Sequence, residues 1–255
     1  MKVLLVAIAV GDKYLGQYER LFKKSQELYA KRNGYDFKVI TEYLDKEHSR
    51  VELLSLMKLL LGSQEWSMEY DYIVYIDADI FINPNAPPIH TAIDYQDKIG
   101  MVDEYSQPTQ EKRIQIQEVY GWEPSAKEYY RLCGFDLDTN IVFNGGVIVF
   151  QPKLHASFLQ FLYKSFFKIC LVHPRGFHYE QSAVGYALQL QKNYVVLDNK
   201  FNAIWSLEKY GNQLDNTPSD LEVFFNQNYF IHFAGNIDYD KVELLDKYLT
   251  ESVTE

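Results

Sequence analysis

The segment Tyr72-Ile73-Val74-Tyr75-Ile76-Asp77-Ala78-Asp79 constrains this chain more than any other. Its first five residues are β-branched, aromatic and largely apolar, the pattern of a strand buried in a parallel sheet. The run ends on two carboxylates two residues apart, which extended chain points to the same side. Ligands of open α/β sheets lie at the carboxyl ends of strands. With no Lys or Arg beside them in sequence, Asp77 and Asp79 call for a positive charge from outside. A hard divalent ion such as Mg²⁺ or Mn²⁺ suits two such oxygens. The plainer alternative is a strand end followed by a solvated acidic turn, for which Asn83-Pro84-Asn85 has the right residues.

Composition narrows the field. A chain of 255 residues with 47% hydrophobic content fits one large domain or a domain with an insertion. The net charge of −10 argues against nonspecific nucleic-acid binding and against adhesion to anionic lipid. Aromatic residues are abundant, with 21 Tyr and 16 Phe; such rings suit stacking on sugars or bases, though most belong to a core. Cys133 and Cys170 form no metal-binding spacing and no disulfide framework, so reduced thiols and a cytoplasmic location are expected. The apolar start, Val3 to Val10, lacks a basic leader and a cleavage pattern and reads as a first buried strand. No stretch is long enough to span a bilayer.

Periodicity predicts a strand over 3–10, an amphipathic helix from Leu15 to Lys31, and a second strand from Tyr35 to Ile40. A further apolar-striped helix from Val51 to Leu61 precedes the strand at 72–77. This β-α-β-α-β order implies an α/β fold with a mostly parallel sheet between helices. Ile99 to Val102 reads as a short strand and Ile141 to Phe150 as a long one. Helices are expected at Leu154 to Lys168 and Glu180 to Gln189, short strands at Tyr194 to Leu197 and Tyr229 to Phe233, and a surface helix at Asp240 to Leu249. Residues 103–140 are polar and read as a loop with one or two helices over the sheet. No repeat or linker appears, so a single domain over 1–255 is expected, with 103–140 as an insertion.

Three more features join the aspartate pair. Phe143-Asn144-Gly145-Gly146-Val147 places glycines inside a strand, which marks either a bulge or a close approach of backbone to ligand. Phe230-Ile231-His232-Phe233-Ala234-Gly235 ends a strand in a histidine, which is either a core residue or a neutral imidazole completing the coordination of an ion. Tyr179-Glu180-Gln181-Ser182 opens a helix with a carboxylate and an amide, where Glu also favours the helix dipole.

Taken in order, these motifs resemble the nucleotide-sugar-dependent glycosyltransferases of the GT-A fold. The chain looks most like the retaining enzymes of glycosyltransferase family 8, with galactosyltransferase family 34 close. The matching pieces are Asp77-Ala78-Asp79, Phe143-Asn144-Gly145-Gly146-Val147, Glu180-Gln181 and Ile231-His232-Phe233-Ala234-Gly235. Residues 3–240 carry the likeness, least of all over 103–140.

The resemblance implies roles. Asp77 and Asp79, with His232 as third ligand, would hold Mn²⁺ or Mg²⁺ against the diphosphate of a nucleotide sugar. Asn144 and Gly145 would face the donor sugar or acceptor, Gln181 would lie beneath the anomeric carbon, and Glu180 would bind sugar hydroxyls. Ala7 to Tyr14 would form the nucleotide-binding start, Tyr14 stacking on the base, and Ala78 and Gly235 would line the donor site. Lys58 sits about where relatives carry a basic residue near the nucleotide sugar. One departure stands out. The family continues H-x-x-G-x-x-K-P-W, whereas the third residue after Gly235 is Asp238, leaving Lys241 to substitute or the phosphate charge to be handled otherwise.

The implied activity is transfer of a hexose from a UDP-sugar to a glycan, glycolipid or other hydroxyl acceptor. Gln181 is an amide and a poor nucleophile, so retention by front-face attack is favoured over double displacement unless Glu180 points inward. Acceptor choice is expected to lie in 103–140, where Trp122, Tyr129 and Tyr130 either stack on sugars or pack inside. Two other readings compete. A GT-A domain that only binds nucleotide is kept open by Asp238. An Asp-based phosphohydrolase is disfavoured, because no Gly-Asp-x-x-x-Asp follows.

Overall fold

The computed structural model describes residues 1–123, 125–172, 180–215, 217–236 and 238–251. The chain runs β1 (Val3–Ile8), α1 (Asp12–Leu21), α2 (Lys23–Arg32), β2 (Asp36–Ile40), β3 (Tyr72–Ile76), β4 (Ile80–Ile82) and β5 (Ile99–Asp103). It continues with α3 (Gln110–Tyr120), α4 (Ala126–Leu132), β6 (Phe143–Phe150), α5 (Pro152–Val172), α6 (Gln181–Gln191) and β7 (Tyr194–Leu197). Last come β8 (Ala203–Ile204), α7 (Trp205–Gly211), α8 (Pro218–Gln227), β9 (Phe230–His232) and α9 (Asp246–Glu251).

A six-stranded sheet has the order β2-β1-β3-β6-β5-β7. β1 is parallel to β2 and β3, β5 is parallel to β7, and β6 runs antiparallel between β3 and β5. Burial on both faces explains the unbroken apolar strands. In β1, Val3, Leu5 and Ala7 enter one core cluster while Leu4, Val6 and Ile8 enter the opposite one. β3 divides likewise, Val74 and Ile76 against Ile73 and Tyr75. Successive side chains of a strand alternate faces, so both faces of such a strand must be apolar.

A second, three-stranded sheet has the order β4-β9-β8. The Asp77-Ala78-Asp79 turn is the short link by which the chain leaves β3 in the large sheet and enters β4 in the small one. Backbone bonds pin both ends of this link: Asp77 N donates to Gly146 O (2.8 Å), and Phe233 N donates to Asp79 O (3.0 Å). Ile80 pairs with His232 across the small sheet, which brings β9's terminal histidine beside the aspartates.

Several elements differ from the sequence expectation. The helix expected over 15–31 is two helices, broken at Phe22 (φ −120°, ψ −38°), whose ring is buried against Phe233 and Tyr239. The segment Val51–Ser63 is a 3₁₀ helix rather than an α-helix, packed on α5. Gly62 allows that approach, since a Cβ there would lie 3.2 Å from Ala156 Cα. The tail expected as a surface helix is a 3₁₀ turn over Tyr239–Leu245 followed by α9, and it buries Val242, Leu245 and Leu249. Residues 103–140 do carry two helices, each started by a side-chain cap: Thr109 accepts from Lys112 N and Ser125 from Glu128 N. Tyr130, on α4, is buried, and Trp122 is exposed, stacked on Tyr120. Among the described residues, no helix is long and apolar enough to cross a membrane.

Candidate active site

Asp77 directly follows the carboxyl end of β3, an interior strand of the large sheet, and each aspartate has one oxygen anchored by the protein. Asp77 Oδ1 accepts from the Tyr75 hydroxyl (2.5 Å) and from Lys58 Nζ (3.1 Å). Asp79 Oδ2 accepts from the Tyr239 hydroxyl (3.2 Å). The remaining oxygens face His232, whose Nε2 lies 3.8 Å from Asp77 Oδ2 and 3.2 Å from Asp79 Oδ1. One ligand atom from each of the three residues falls within 4.8 Å of the others, a spacing suited to a single metal ion.

The charges answer one another. Burial opposes ionisation of Asp79, yet the neighbouring imidazole and the Tyr239 hydroxyl outweigh it and hold the carboxyl below its usual range. Burial likewise opposes protonation of His232, and Asp79 and then Asp77 raise its pKa overall. Tyr75 and Tyr239 stay protonated donors, pushed up first by burial and then by the aspartates.

The tautomer of His232 follows from a chain of obligate donors. Gly146 N can only donate, and it donates to Asn144 Oδ1 (2.8 Å). Asn202 Nδ2 donates to the same oxygen (2.7 Å), which turns Asn202 Oδ1 toward His232 Nδ1 at 2.9 Å. Nδ1 therefore carries a proton, and in the neutral ring Nε2 presents its lone pair to the aspartates.

Gly145 and Gly146 now have separate reasons. β6 bulges away from β5 here, since Met101 pairs with Ile148 but Val102 pairs with Asn144. A Cβ on Gly146 would lie 2.6 Å from His232 Cε1 and 2.8 Å from Asn144 Oδ1. A Cβ on Gly145 would overlap Glu180 Oε1. Both glycines make room for side chains that support the site.

Lys58 and Glu180 form a buried ion pair behind Asp77. Aspartates without a basic neighbour in sequence acquire one in space: Lys58 Nζ reaches Asp77, Gly145 O (2.8 Å) and Glu180 Oε1 (2.7 Å). Burial alone would lower its pKa, but Asp77 and Glu180 raise it overall. Glu180, which the resemblance implies as a ligand of sugar hydroxyls, is only 2% exposed and serves as the counter-ion of this lysine. Its neighbour Tyr179 lies outside the described residues.

Gln181 opens α6, donating from Nε2 to Glu104 Oε2 (3.0 Å), with its Oε1 at 3.5 Å from Asn144 Nδ2. Tyr14 is half-exposed on α1, and its phenol feels first burial and then the charges of Asp79 and Asp77. The side chains of Ala7 and Ala78 are buried in the core, so neither lines an open surface. Gly235 takes a left-handed turn after β9 (φ 80°) that glycine adopts freely. Asp238 accepts from Trp205 Nε1 (2.8 Å) and Lys209 Nζ (3.0 Å), and Lys241 Nζ lies 3.7 Å from it. Sequence reasoning missed Glu104, Asn202, Tyr239 and the Tyr75 hydroxyl. Glu104 directly follows β5, so the strand-end rule applied to β3 would have found it; Asn202 carries no local signal.

This architecture is the GT-A fold. The chain superposes on a glycosyltransferase involved in glycosylating the major capsid protein of PBCV-1, with TM-score 0.62, 16% identity and coverage of 97% of this chain and 100% of that one. It is similar to the galactosyltransferase LgtC, solved with donor and acceptor sugar analogues (TM-score 0.58, 12% identity, 100% and 97% covered). It also matches the bifunctional glycosyltransferase WbbM (TM-score 0.59, 15% identity), spanning 98% of this chain and 51% of that one. At these identities the likeness establishes the fold. No family model matches the sequence, and no curated protein does.

Proposed function

We propose that this chain is a metal-dependent, retaining glycosyltransferase that moves a hexose from a UDP-sugar to a glycan, glycolipid or other hydroxyl acceptor. The observation that carries the reading is the meeting of Asp77, Asp79 and His232 at the carboxyl end of β3 in a GT-A fold, with Gln181 bonded into the same network. The donor set fits Mn²⁺ or Mg²⁺: two carboxylates with one oxygen each anchored, and an imidazole whose Nδ1 proton is committed to Asn202. When bound, such an ion supplies Lewis-acid stabilisation of the charge growing on a leaving diphosphate.

The chain's own residues do the rest. Lys58 and Tyr75 fix Asp77, Tyr239 fixes Asp79, and Asn202 fixes His232. Glu180 is buried with its Oε1 paired to Lys58, which speaks against a double displacement through it and for front-face attack beside Gln181. Tyr14, Gly235 and Lys241 are assigned to the donor side, and residues 103–140 to the acceptor side of a single domain over 1–255. A cytoplasmic location belongs to the same reading.

The test is a donor screen with purified protein, Mn²⁺ and a panel of UDP- and GDP-sugars, read by released nucleotide. Turnover should need the metal and vanish in Asp79→Ala; undiminished turnover in that variant sinks the proposal. Asp238, standing where the resembled family has lysine, favours a second reading as a nucleotide-binding module without turnover. Calorimetric titration of UDP with and without Mn²⁺, run beside the screen, separates the two.

A further inference from the structure

Gln181 cannot act in a fixed way unless its amide is fixed, because the two ends of an amide have the same shape and opposite hydrogen-bonding sense. Glu104 supplies the constraint. Its Oε2 accepts from Gln181 Nε2 (3.0 Å) and from Asn144 Nδ2 (2.9 Å), and its Oε1 accepts from Arg113 Nη2 (2.7 Å). An ionised carboxylate accepts only, so it selects the nitrogen end of each amide. Asn144 confirms the assignment independently, since the backbone N–H of Gly146 already claims its oxygen.

We propose that Glu104, braced by Arg113, is the positioning residue that turns the carbonyl oxygen of Gln181 toward the reacting sugar. The proposal rests on the reading of Gln181 given above and deepens it. With Nε2 committed to Glu104, the remaining Oε1 has, among the described residues, only a long 3.5 Å hydrogen bond from Asn144 Nδ2. A carbonyl oxygen carries partial negative charge and stabilises positive charge developing on a neighbouring carbon; a flipped amide would point N–H groups at it.

Arg113 marks the arrangement as one kept for function. The guanidinium lies 4.5 Å over the Tyr105 ring and is buried, yet among the described residues its Nε and Nη1 have no hydrogen-bond partner. Idle buried donors cost stability. The bond that Arg113 does make holds the carboxylate that holds Gln181. Because Arg113 comes from α3, the 103–140 insertion contributes to the catalytic centre and not to the acceptor face alone.

The test uses Glu104→Gln, which keeps shape but can donate or accept, together with Arg113→Lys and Arg113→Met. In glutamine-¹⁵N-labelled protein without ligand, the Gln181 side-chain amide is assigned by its loss in Gln181→Glu. Its protons should be widely split and slow to exchange in the wild type, and should collapse toward free-amide values in Glu104→Gln and Arg113→Met. With the donor found by the screen, kcat should fall about tenfold or more in those two variants, assayed well below their melting temperatures, with KM for donor unchanged and Arg113→Lys intermediate. Unaltered Gln181 signals in Glu104→Gln, or unaltered kcat, overturns the proposal. Absence of turnover in the wild type instead sinks the glycosyltransferase reading, and the amide spectrum still decides whether Glu104 orients Gln181.

Discussion

His232 donates from Nδ1 to Asn202 Oδ1 across 2.9 Å, and this bond decides which ring nitrogen faces Asp77 and Asp79. Asn202 is fully buried and itself held by Asn144, so the imidazole has little freedom to choose the other tautomer. Removing an orienting partner from a metal-binding histidine lowers affinity by about 10–100-fold. Asn202→Ala should therefore bind Mn²⁺ about that much more weakly, as read by electron paramagnetic resonance titration. Wild-type affinity in this variant would show that the tautomer is set by something else.

Lys58 gives a prediction about stability. It is a buried ammonium between Asp77 and Glu180, and the carboxylate of Glu180 is as deeply buried as the lysine. Removing one partner of a buried pair strands the other's charge, at about 3–5 kcal/mol. Lys58→Met should lose that much in urea unfolding. The double variant Lys58→Met/Glu180→Gln should recover most of it, because the one carboxylate then left without the lysine, Asp77, is partly exposed and still held by the Tyr75 hydroxyl. A double variant as unstable as the single one would mean that lysine packing, and not charge, is what matters.

These two cases show what the sequence made legible. The strand at 72–76, the metal-suited carboxylates and the closing histidine follow from local pattern, because a buried strand and its edge are written in adjacent residues. The Asn144-Gly145-Gly146 motif was visible, but its purpose was not. Its glycines answer to Glu180 and His232, which are distant in sequence and meet them only in space. The partners of Lys58 were hidden for the same reason: a lysine 19 residues before Asp77 shows its bonds to Asp77, Gly145 and Glu180 only once the chain is folded. The break at Phe22 was equally hidden, since apolar periodicity runs through it and the burial of its ring against Phe233 and Tyr239 is tertiary.

Cys133 tests the electrostatics away from the site. Burial raises its thiol to about 11, against a small opposing effect of a hydrogen bond with Ser182. The thiolate is the reactive form, and an ordinary thiol near 8.5 is about a quarter ionised at pH 8 whereas one near 11 is about a thousandth ionised. In a Cys170→Ser background, alkylation by iodoacetamide at pH 8 should run at least about 10²-fold slower than for a free thiol. The rate should climb about tenfold per pH unit up to pH 10. A fast, pH-independent reaction would contradict the burial of this thiol.

Gly145 and Gly146 make opposed predictions although they are neighbours. A methyl group on Gly146 meets the His232 ring and Asn144 Oδ1, so Gly146→Ala displaces the imidazole and its orienting network. A methyl group on Gly145 meets Glu180 and approaches Lys58 Nζ to 3.2 Å, so Gly145→Ala strains the buried ion pair instead. Overpacking of this kind costs about 1–3 kcal/mol. Both variants should unfold at lower urea concentration. Gly146→Ala should in addition lose Mn²⁺ affinity, because the imidazole it displaces lies 3.2 Å from Asp79 and completes the ligand trio. Gly145→Ala should keep more of that affinity, since Tyr75 still anchors Asp77 when Lys58 shifts. Equal losses of affinity in the two variants would mean that the strand moves as a unit and that the two glycines do not serve separate partners.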